Sequence, residues 1–385
     1  MADPRIDPGA DVADPSVATP VPRTSSVDLP PRVRLVVLFG GQSAEHDVSR
    51  TTARNVLAAL DPDRYDVQLV GISRSGRWLR VESGPALIGR PVADASTGAI
   101  EVAGTDTELT THLSTAADDG LPLVVLPLLH GPNGEDGTVQ GLLELSGLPY
   151  VGSAVLGSAV SMDKAVAKEL CAHAGVPQGR WIALHEREVT EAALSDAVDT
   201  LGLPIFVKPA NLGSSVGISK AANADELDAA VRTALDHDEC VVLEEAIDGR
   251  EIELGVLGNE SPRVSMPGEI VAGADFYDYE DKYLTGAAEL VIPAALPPDV
   301  VEEAQRLALR TFRTLRGADL ARVDFFYESP GRGLLLNEMN TLPGFTPASM
   351  YPRLWEASGV PYTELIDELV RLALERSAHR GGRRR

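Results

Sequence analysis

The segment VKPANLGSSVGISK (Val207–Lys220) combines a strand that ends near a lysine with a loop rich in glycine and serine. The glycines allow the backbone to approach a phosphate closely, and the hydroxyls of Ser214 and Ser215 add hydrogen-bond donors. Lys208 supplies a cation, but it precedes the glycines, so the segment is not a Walker loop. The pattern predicts a phosphate site, and the alternative interpretation is an ordinary β-hairpin turn.

Two further predicted strands, ARVDFF (Ala321–Phe326) and NEMN (Asn337–Asn340), carry polar residues inside apolar runs. Residues i and i+2 of a strand point to one face, so Asp324, Glu338 and Asn340 can converge as oxygen ligands, which favour Mg²⁺. A solvated strand face with a salt bridge is the alternative, although an unpaired charge inside an apolar run is costly. Together with the phosphate loop, this cluster indicates an ATP site outside the P-loop scheme.

The N-terminal part predicts an α/β fold. The apolar run VRLVVLFGG (Val33–Gly41) is followed by an amphipathic stretch to about Leu60 and by the strand Tyr65–Ser73, which is typical of a βαβ unit. A buried strand is predicted within Leu121–Gly131, and residues 83–120 are predicted to form a loop or short hairpin. We expect a doubly wound parallel sheet with helices on both faces.

Periodicity predicts the remaining elements in an α+β arrangement. Helices are expected at Thr138–Ser146, Asp163–Ala174, Asp225–Leu235, Asp299–Leu315 and Tyr362–Glu375, and strands at Ile205–Ala210, Val241–Ile247, Ile252–Leu257, Ala321–Tyr327 and Gly333–Met339. The expected divisions are a disordered leader (1–31), three domains (32–155, 156–250 and 251–376) and a basic, solvated tail (377–385).

Composition excludes several classes of function. The 385 residues include 34 Lys+Arg and 57 Asp+Glu, a formal net charge of −23 that opposes nucleic-acid binding. No apolar run approaches the ~18 residues of a membrane span. The two cysteines, Cys171 and Cys240, cannot form a disulfide framework, which favours the cytoplasm.

Seven motifs in order over about residues 33–376 resemble the D-alanine:D-alanine ligase family of the ATP-grasp superfamily. They are LFGGQSAEHDVS (Leu38–Ser49), LHGPNGEDGTVQG (Leu129–Gly141), SMDK (Ser161–Lys164), VKPANLGSSVG (Val207–Gly217), FYDYEDKYL (Phe276–Leu284), ARVDFF and NEMNTLPGFTPASMYP (Asn337–Pro352). The resemblance implies a three-domain ATP-grasp ligase that makes D-alanyl-D-alanine for peptidoglycan synthesis. It also implies a homodimer, and a cytoplasmic enzyme without nucleic-acid or membrane partners.

The resemblance also implies an ATP site between the second and third domains. The implied ATP-binding residues are Lys164, Lys208, Ser214 and Ser215 for the phosphates, Glu244, Glu245, Ala246 and Ile247 for adenine, Glu251 for ribose, and Phe276 and Lys282 on a mobile loop that also carries Tyr277 and Tyr283. The family often has a lysine and an aromatic residue where this chain has Glu245 and Ala246. The side-chain contacts to adenine are therefore expected to differ, while backbone contacts can persist.

The chemistry implied by the resemblance runs through an acyl phosphate. Two Mg²⁺ (or Mn²⁺) on Asp324, Glu338 and Asn340 are expected to neutralise the phosphates with Lys208 and Lys282. The oxyanion of the second step is assigned to Arg322 and the backbone N–H of Gly344.

The resemblance assigns the substrate contacts as well. Glu45 matches the carboxylate that pairs with the ammonium of the first D-alanine. In the family this glutamate connects through a serine, here Ser214, to the loop tyrosine, here Tyr283. Glu45 is also a helix N-terminal residue that the macrodipole favours, and both interpretations can hold together. His130 matches a histidine beside that substrate, or is an ordinary strand-end histidine. Ser349 is expected to bind the carboxylate of the second D-alanine and Met350 to line its methyl pocket. Retention of Tyr283 favours D-alanine over D-lactate.

Three other classes of protein share part of this sequence pattern. Another ATP-grasp carboxylate–amine ligase shares the second and third domains, but the N-terminal motifs disfavour it. A nucleotide-binding protein without catalysis would not hydrolyse ATP with both substrates present. A Rossmann dehydrogenase is disfavoured because the glycines after the first strand, Gly40 and Gly41, do not form GxGxxG.

Overall fold

The computed structural model describes residues 27–82, 88–89, 99–107, 120–213, 216–271 and 289–383. Most of the predicted leader lies outside the described residues, as do most of residues 83–120. In the described part of the chain, no helix is both long enough and apolar enough to span a membrane.

The described residues form fifteen strands and nine α-helices. The strands are β1 (Val33–Gly40), β2 (Tyr65–Ile72), β3 (Trp78–Val81), β4 (Thr105–Asp106), β5 (Leu123–Pro127), β6 (Trp181–His185), β7 (Ile205–Pro209), β8 (Ser219–Ala221), β9 (Cys240–Glu245), β10 (Arg250–Gly258), β11 (Arg263–Val264), β12 (Gly268–Val271), β13 (Glu289–Val291), β14 (Asp319–Glu328) and β15 (Gly333–Asn340). The helices are α1 (His46–Ala59), α2 (Thr138–Leu145), α3 (Val155–Met162), α4 (Lys164–His173), α5 (Glu191–Leu201), α6 (Ala224–Leu235), α7 (Pro298–Thr314), α8 (Met350–Ala357) and α9 (Tyr362–Arg383).

The first sheet confirms the predicted βαβ unit. Its order is β4-β3-β2-β1-β5, with β1 parallel to both β2 and β5. Strands β3 and β4 form an antiparallel edge. Apolar residues of β1 pack on α1 and α9 on one face and on α2 on the other, so the central strand is buried on both sides and reads as a continuous apolar run.

The second sheet is antiparallel, in the order β6-β9-β7-β8. Helices α5 and α6 cover one face with apolar side chains. Both helices begin at a side-chain cap: Thr190 accepts a hydrogen bond from Ala193 N, and Asn223 accepts one from Glu226 N. Strand β9 ends at Glu245, two residues before the predicted end, because the chain there leaves this sheet for the next one.

The third sheet is also antiparallel, in the order β13-β12-β10-β14-β15, with β11 paired to β10. Helix α7 begins with Pro298 and packs its apolar stripe on β10 and β14. Cys171 of α4 joins the same core, so α4 belongs with the third sheet in space although the second sheet follows it in sequence.

Helix α9 is longer than predicted and continues to Arg383. The expectation of a solvated tail from residue 377 is wrong for the described residues, because Arg380 forms an ion pair with Glu144 of α2. One turn earlier, Arg376 forms an ion pair with Asp319 and lies over the ring of Tyr150. These contacts dock the helix on both the first and the third sheet, because Glu144 and Tyr150 lie beside the first sheet and Asp319 begins β14. The predicted domain divisions stay predictions.

Candidate active site

The carboxyl ends of β1 and β5 meet at one edge of the first sheet, where open α/β sheets bind ligands. The buried Ser49 of α1 joins them: its Oγ accepts a hydrogen bond from Gly40 N over 2.8 Å and donates one to Leu128 O. His46 adds a bond from its ring to the carbonyl of Gly41. These contacts fix the start of α1 against both strand ends.

Glu45 and His130 lie at this edge, at the start of α1 and just after β5. Both are buried, with 6% and 7% of their surface exposed. The Nε2 atom of His130 has no hydrogen-bond partner in the described part of the chain. Because a buried polar atom normally has a partner, this nitrogen is suited to contact a bound substrate.

Glu135, in the loop between β5 and α2, is a residue that the sequence analysis missed. Its Oε1 accepts a hydrogen bond from Gly131 N over 2.8 Å. Burial and the charge of Glu45 raise its pKa to about 8; Glu338 adds to the shift and Lys164 opposes it. One carboxyl group thus lies within electrostatic reach of groups from the first sheet, from α4 and from the third sheet. The place of Glu135 between the glycines of LHGPNGEDGTVQG is the sequence feature that could have indicated it.

Two lysines share one carboxylate in the second sheet. Lys208 on β7 lies 3.2 Å from Glu244 Oε2, and Lys168 on α4 lies 3.3 Å from Glu244 Oε1. Burial by itself would raise the pKa of Glu244, but the two ammonium charges lower it to about 2. Lys168 was missed, although it follows Lys164 by four residues and therefore lies on the same helix face.

Lys164 lies at the first turn of α4, where Asp163 caps the helix by accepting a bond from Val166 N. Its ammonium group donates to the carbonyl of Leu212, just before the glycine–serine loop. Burial lowers its pKa, and the charge of Glu338 opposes this effect. The structure therefore brings Lys164 toward the acidic residues of the third sheet.

The third sheet brings together the polar residues predicted on its strands. Asp324 pairs with Glu338 and Arg322 pairs with Asn340 across β14 and β15. The Asn340 Nδ2 atom lies 2.9 Å from Asp324 Oδ2 and 3.5 Å from Glu338 Oε1. These side chains converge, and two carboxylates with one amide are the oxygen donors that Mg²⁺ prefers.

Arg322 is held on both sides by acids. It pairs with Asp324 over 2.8 Å and with Glu253 of β10 over 3.0 Å. Burial opposes these charges, but they raise the pKa of Arg322 further. Glu253 was missed; it follows Glu251 by two residues and faces Asp324 in register, so strand periodicity was the available signal.

The pairing of β14 with β15 shifts register between Asp324 and Phe325, which leaves Asn337 as an extra residue on β15. Asn337 Oδ1 accepts a hydrogen bond from Lys208 over 3.4 Å. This bond joins the second sheet to the third beside the acidic cluster.

The described residues contain no group of three or more His, Cys, Asp or Glu that could hold a metal ion.

The loop after β15 carries Gly344 and Ser349. Ser349 Oγ accepts a hydrogen bond from Thr346 N over 3.1 Å and lies 2.8 Å from Thr346 Oγ1. A side chain at Gly344 would come within 3.2 Å of Ser349 Oγ, so glycine allows this close approach. Met350 is buried with Ile270 and Leu354 in a small apolar cluster.

The segment predicted to bind adenine begins at the end of β9. The carboxylate of Glu245 is buried and accepts hydrogen bonds from Arg180 and Arg332. Ala246 N donates to Pro204 O over 3.2 Å, and Ile247 follows in the link to β10. Glu251 is half-buried on β10, opposite Phe326.

Several predicted residues lie outside the described residues. They are Ser214, Ser215, Phe276, Tyr277, Lys282 and Tyr283.

Two family models cover most of the chain. The model of the D-ala D-ala ligase N-terminus matches residues 34–153, and that of the D-ala D-ala ligase C-terminus matches residues 170–371. A D-alanine–D-alanine ligase of Deinococcus radiodurans is 52% identical over 347 residues, covering 89% of this chain and 98% of the relative. One from Bacillus licheniformis is 46% identical and covers 90% and 97%.

Solved structures are similar over nearly the same length. The D-alanine-D-alanine ligase from Coxiella burnetii superposes with a TM-score of 0.77 at 32% identity, covering 92% of this chain and 97% of that structure. The VanG D-Ala:D-Ser ligase from Enterococcus faecalis gives a TM-score of 0.74 at 32% identity, covering 89% and 99%.

Proposed function

The chain belongs to the D-alanine–D-alanine ligase family, whose ATP-dependent joining of two D-alanines serves peptidoglycan synthesis, and we propose that the convergence of its three sheets forms the active site. The observation that carries this proposal is the position of Glu135, which is held by Gly131 N and lies within electrostatic reach of Glu45, Glu338 and Lys164. These groups come from the substrate, metal and phosphate parts of the expected site. Their mutual reach supports a single reaction centre.

ATP is expected to lie between the second and third sheets. Lys164 and Lys208 would neutralise phosphate oxygens, and the 3.4 Å contact of Lys208 with Asn337 supports this location. The backbone of Ala246 and Ile247 would contact adenine, and Glu251 the ribose. Ser214, Ser215, Phe276 and Lys282 complete the proposed ATP contacts.

Mg²⁺ fits Asp324, Glu338 and Asn340, because the two carboxylates converge on the Asn340 amide and together carry two negative charges. A bound divalent ion would neutralise charge on the phosphate oxygens during transfer. Asn340, which donates its amide N–H to Asp324 Oδ2, would turn its carbonyl oxygen toward the ion.

We propose two chemical steps. A carboxylate oxygen of the first D-alanine attacks the γ-phosphorus of ATP, and ADP leaves. The free amine of the second D-alanine then attacks the acyl phosphate carbon, the bond from that carbon to the phosphate oxygen breaks, and the phosphate leaves with the proton that the amine loses. Arg322 and the N–H of Gly344 would stabilise the oxyanion that forms in the second step.

The substrates would be oriented by the first sheet and by the loop after β15. Buried Glu45 would pair with the ammonium of the first D-alanine, and His130 Nε2 would lie beside it. Ser349 and Met350 are proposed for the second D-alanine. By resemblance to the family, Tyr283 is proposed to connect through Ser214 to Glu45 and to belong to a loop that excludes water from the acyl phosphate.

The testing experiment is phosphate release from ATP and Mg²⁺ with D-alanine and separately with L-alanine, combined with mass detection of the product. We expect phosphate and D-alanyl-D-alanine to appear together with the D-enantiomer alone. Silence with D-alanine together with activity on another amino acid or a hydroxy acid would overturn the substrate assignment. Dimerisation and a cytoplasmic location are also proposed from the family, and analytical ultracentrifugation tests the first of these.

A further inference from the structure

Two segments of chain cross between the second and third sheets. Residues 174–180 lead from α4, which packs in the core of the third sheet, to β6 of the second. Residues 246–249 lead from β9 back to β10 of the third sheet. Any change in the angle between these sheets must bend both crossings, so together they are the hinge of the proposed ATP cleft.

Glu245 joins the two crossings to each other. Its Oε1 accepts from Arg180 N over 2.7 Å and its Oε2 from Arg180 Nε over 2.8 Å. Glu245 N returns a hydrogen bond to Arg180 O over 3.1 Å. The segments approach so closely that a side chain at Gly179 would come within 2.7 Å of Ile247 Cδ1.

The third sheet reaches the same carboxylate through Arg332, which lies in the turn between β14 and β15. Its Nη1 donates to Glu245 Oε1. Its Nε and Nη2 donate to Glu328 over 2.8 and 3.0 Å, so the guanidinium is fixed on its own sheet. Arg180 is anchored in turn on the second sheet's side, where it donates to the carbonyls of Thr200 and Leu201.

Glu245 is 8% exposed, and both of its carboxylate oxygens accept hydrogen bonds from arginine groups. Burial opposes ionisation, but the hydrogen bonds from Arg332 and Arg180 lower the pKa of Glu245, so it is charged at neutral pH. A side chain committed in this way is not available to read a purine. Its role must be exerted through the backbone that it holds.

We propose that Arg180, Glu245 and Arg332 form a hinge bracket that fixes the second sheet against the third and thereby positions the backbone of Ala246 and Ile247 for ATP. All three are positioning residues. The inference rests on the proposed location of ATP in this cleft. It explains how the chain accommodates Glu245 where the family often has a lysine. The two arginines neutralise the charge of this glutamate and hydrogen-bond to its carboxylate.

The test uses the full-length R332M variant, which is expected to fold because 42% of the Arg332 side chain is exposed. Loss of the bracket should raise KM for ATP by ~10-fold, within the usual range of coupling between sites. The value of kcat and the KM for D-alanine should stay within about twofold of the wild type. Amide hydrogen exchange of residues 246–249 in the free enzyme should become faster.

Three variants make the test specific. R306M removes an exposed ion pair with Glu303 on α7 and should change neither KM for ATP nor exchange at the hinge. E245Q/R332M should raise KM for ATP no more than E245Q does, because both substitutions disrupt the same pair between Glu245 and Arg332. R332K, which keeps the charge, should recover part of the loss.

An R332M variant with wild-type KM for ATP and unchanged exchange at residues 246–249 overturns the bracket. Equal effects of R332M and R306M overturn it as well. Failure of the proposed function gives a different result, in which the wild-type chain releases no phosphate with D-alanine while the exchange comparison still reports on the bracket.

Discussion

Arg322 and Asp324 form a two-bond ion pair along one strand: Nε donates to Oδ1 and Nη2 donates to Oδ2, each over 2.8 Å. Being i and i+2 on β14, they share a face. Asp324 is a proposed metal ligand and Arg322 a proposed oxyanion donor. The pair therefore ties the phosphate end of the site to the acyl end.

We expect R322A to lower kcat by ~10²–10³ while ADP still binds, because the donor acts on charge that develops in the transition state. Steady-state phosphate release and calorimetric ADP affinity are the measurements. R322K is the control for charge alone, and thermal unfolding identifies any loss of folded protein. A variant with wild-type kcat would remove Arg322 from the chemistry.

The E338Q substitution should raise the Mg²⁺ concentration needed for half-maximal activity by ~10-fold or more. Replacing a residue that only supports a metal ligand already lowers metal affinity by about that factor, so replacing a ligand should lower it at least as much. Glu338 pairs with Asp324 in register, so neutralising it removes half of the carboxylate charge of the cluster. E269Q is the matched control, since Glu269 pairs with Arg250 in the same sheet. Identical Mg²⁺ titrations for E338Q and the wild type would contradict the assignment.

Gly217 and Gly202 both have a positive φ, of 72° and 76°, but only one has room for a side chain. A Cβ at Gly217 would lie 2.7 Å from His237 Cδ2 and 2.8 Å from Pro209 Cγ, whereas nothing lies within 4 Å at Gly202. Both alanine variants should lose ~1–3 kcal/mol of unfolding free energy, because residues other than glycine rarely adopt a positive φ. G217A should lose more and should also raise KM for ATP, as denaturant unfolding and kinetics would show; equal behaviour would refute the packing argument.

Removing Arg376 should destabilise the fold in a pH-dependent way. Asp319 is fully buried, and R376A leaves its charge without this partner, at a cost of ~3–5 kcal/mol. Burial already raises the pKa of Asp319 despite Arg376, and the variant raises it further. A raised carboxyl pKa favours folding at low pH, and this stability is lost as pH rises through the folded pKa.

Denaturant unfolding should be measured at pH 4.5 and pH 7.5, both above the usual carboxyl pKa of about 4. R376A should lose more unfolding free energy, relative to the wild type, at pH 7.5 than at pH 4.5. R380A is the control: its pair with Glu144 is more exposed and should contribute no more than ~1 kcal/mol at either pH. A loss independent of pH would exclude Asp319 as its source.

Local sequence patterns predict many of the helices and strands, although α3, α5 and α8 were not expected. The apolar run at β1 predicts a strand buried on both faces, and the i, i+2 spacing of Arg322 and Asp324 predicts a shared face, because both follow from local backbone geometry. The ordered motifs identified the ligase family before any contact was known.

The residues that meet from distant parts of the chain are set by the packing of whole elements. Lys168 and Lys208 share Glu244 because β9, which carries it, pairs with β7 and packs against α4. Glu245 meets Arg332 across 87 positions of chain. The docking of α9 through Arg376 and Arg380 likewise depends on groups brought near by folding. Periodicity reports which face a side chain occupies, but the partner on the other side is set by the packing of whole elements, which no local pattern contains.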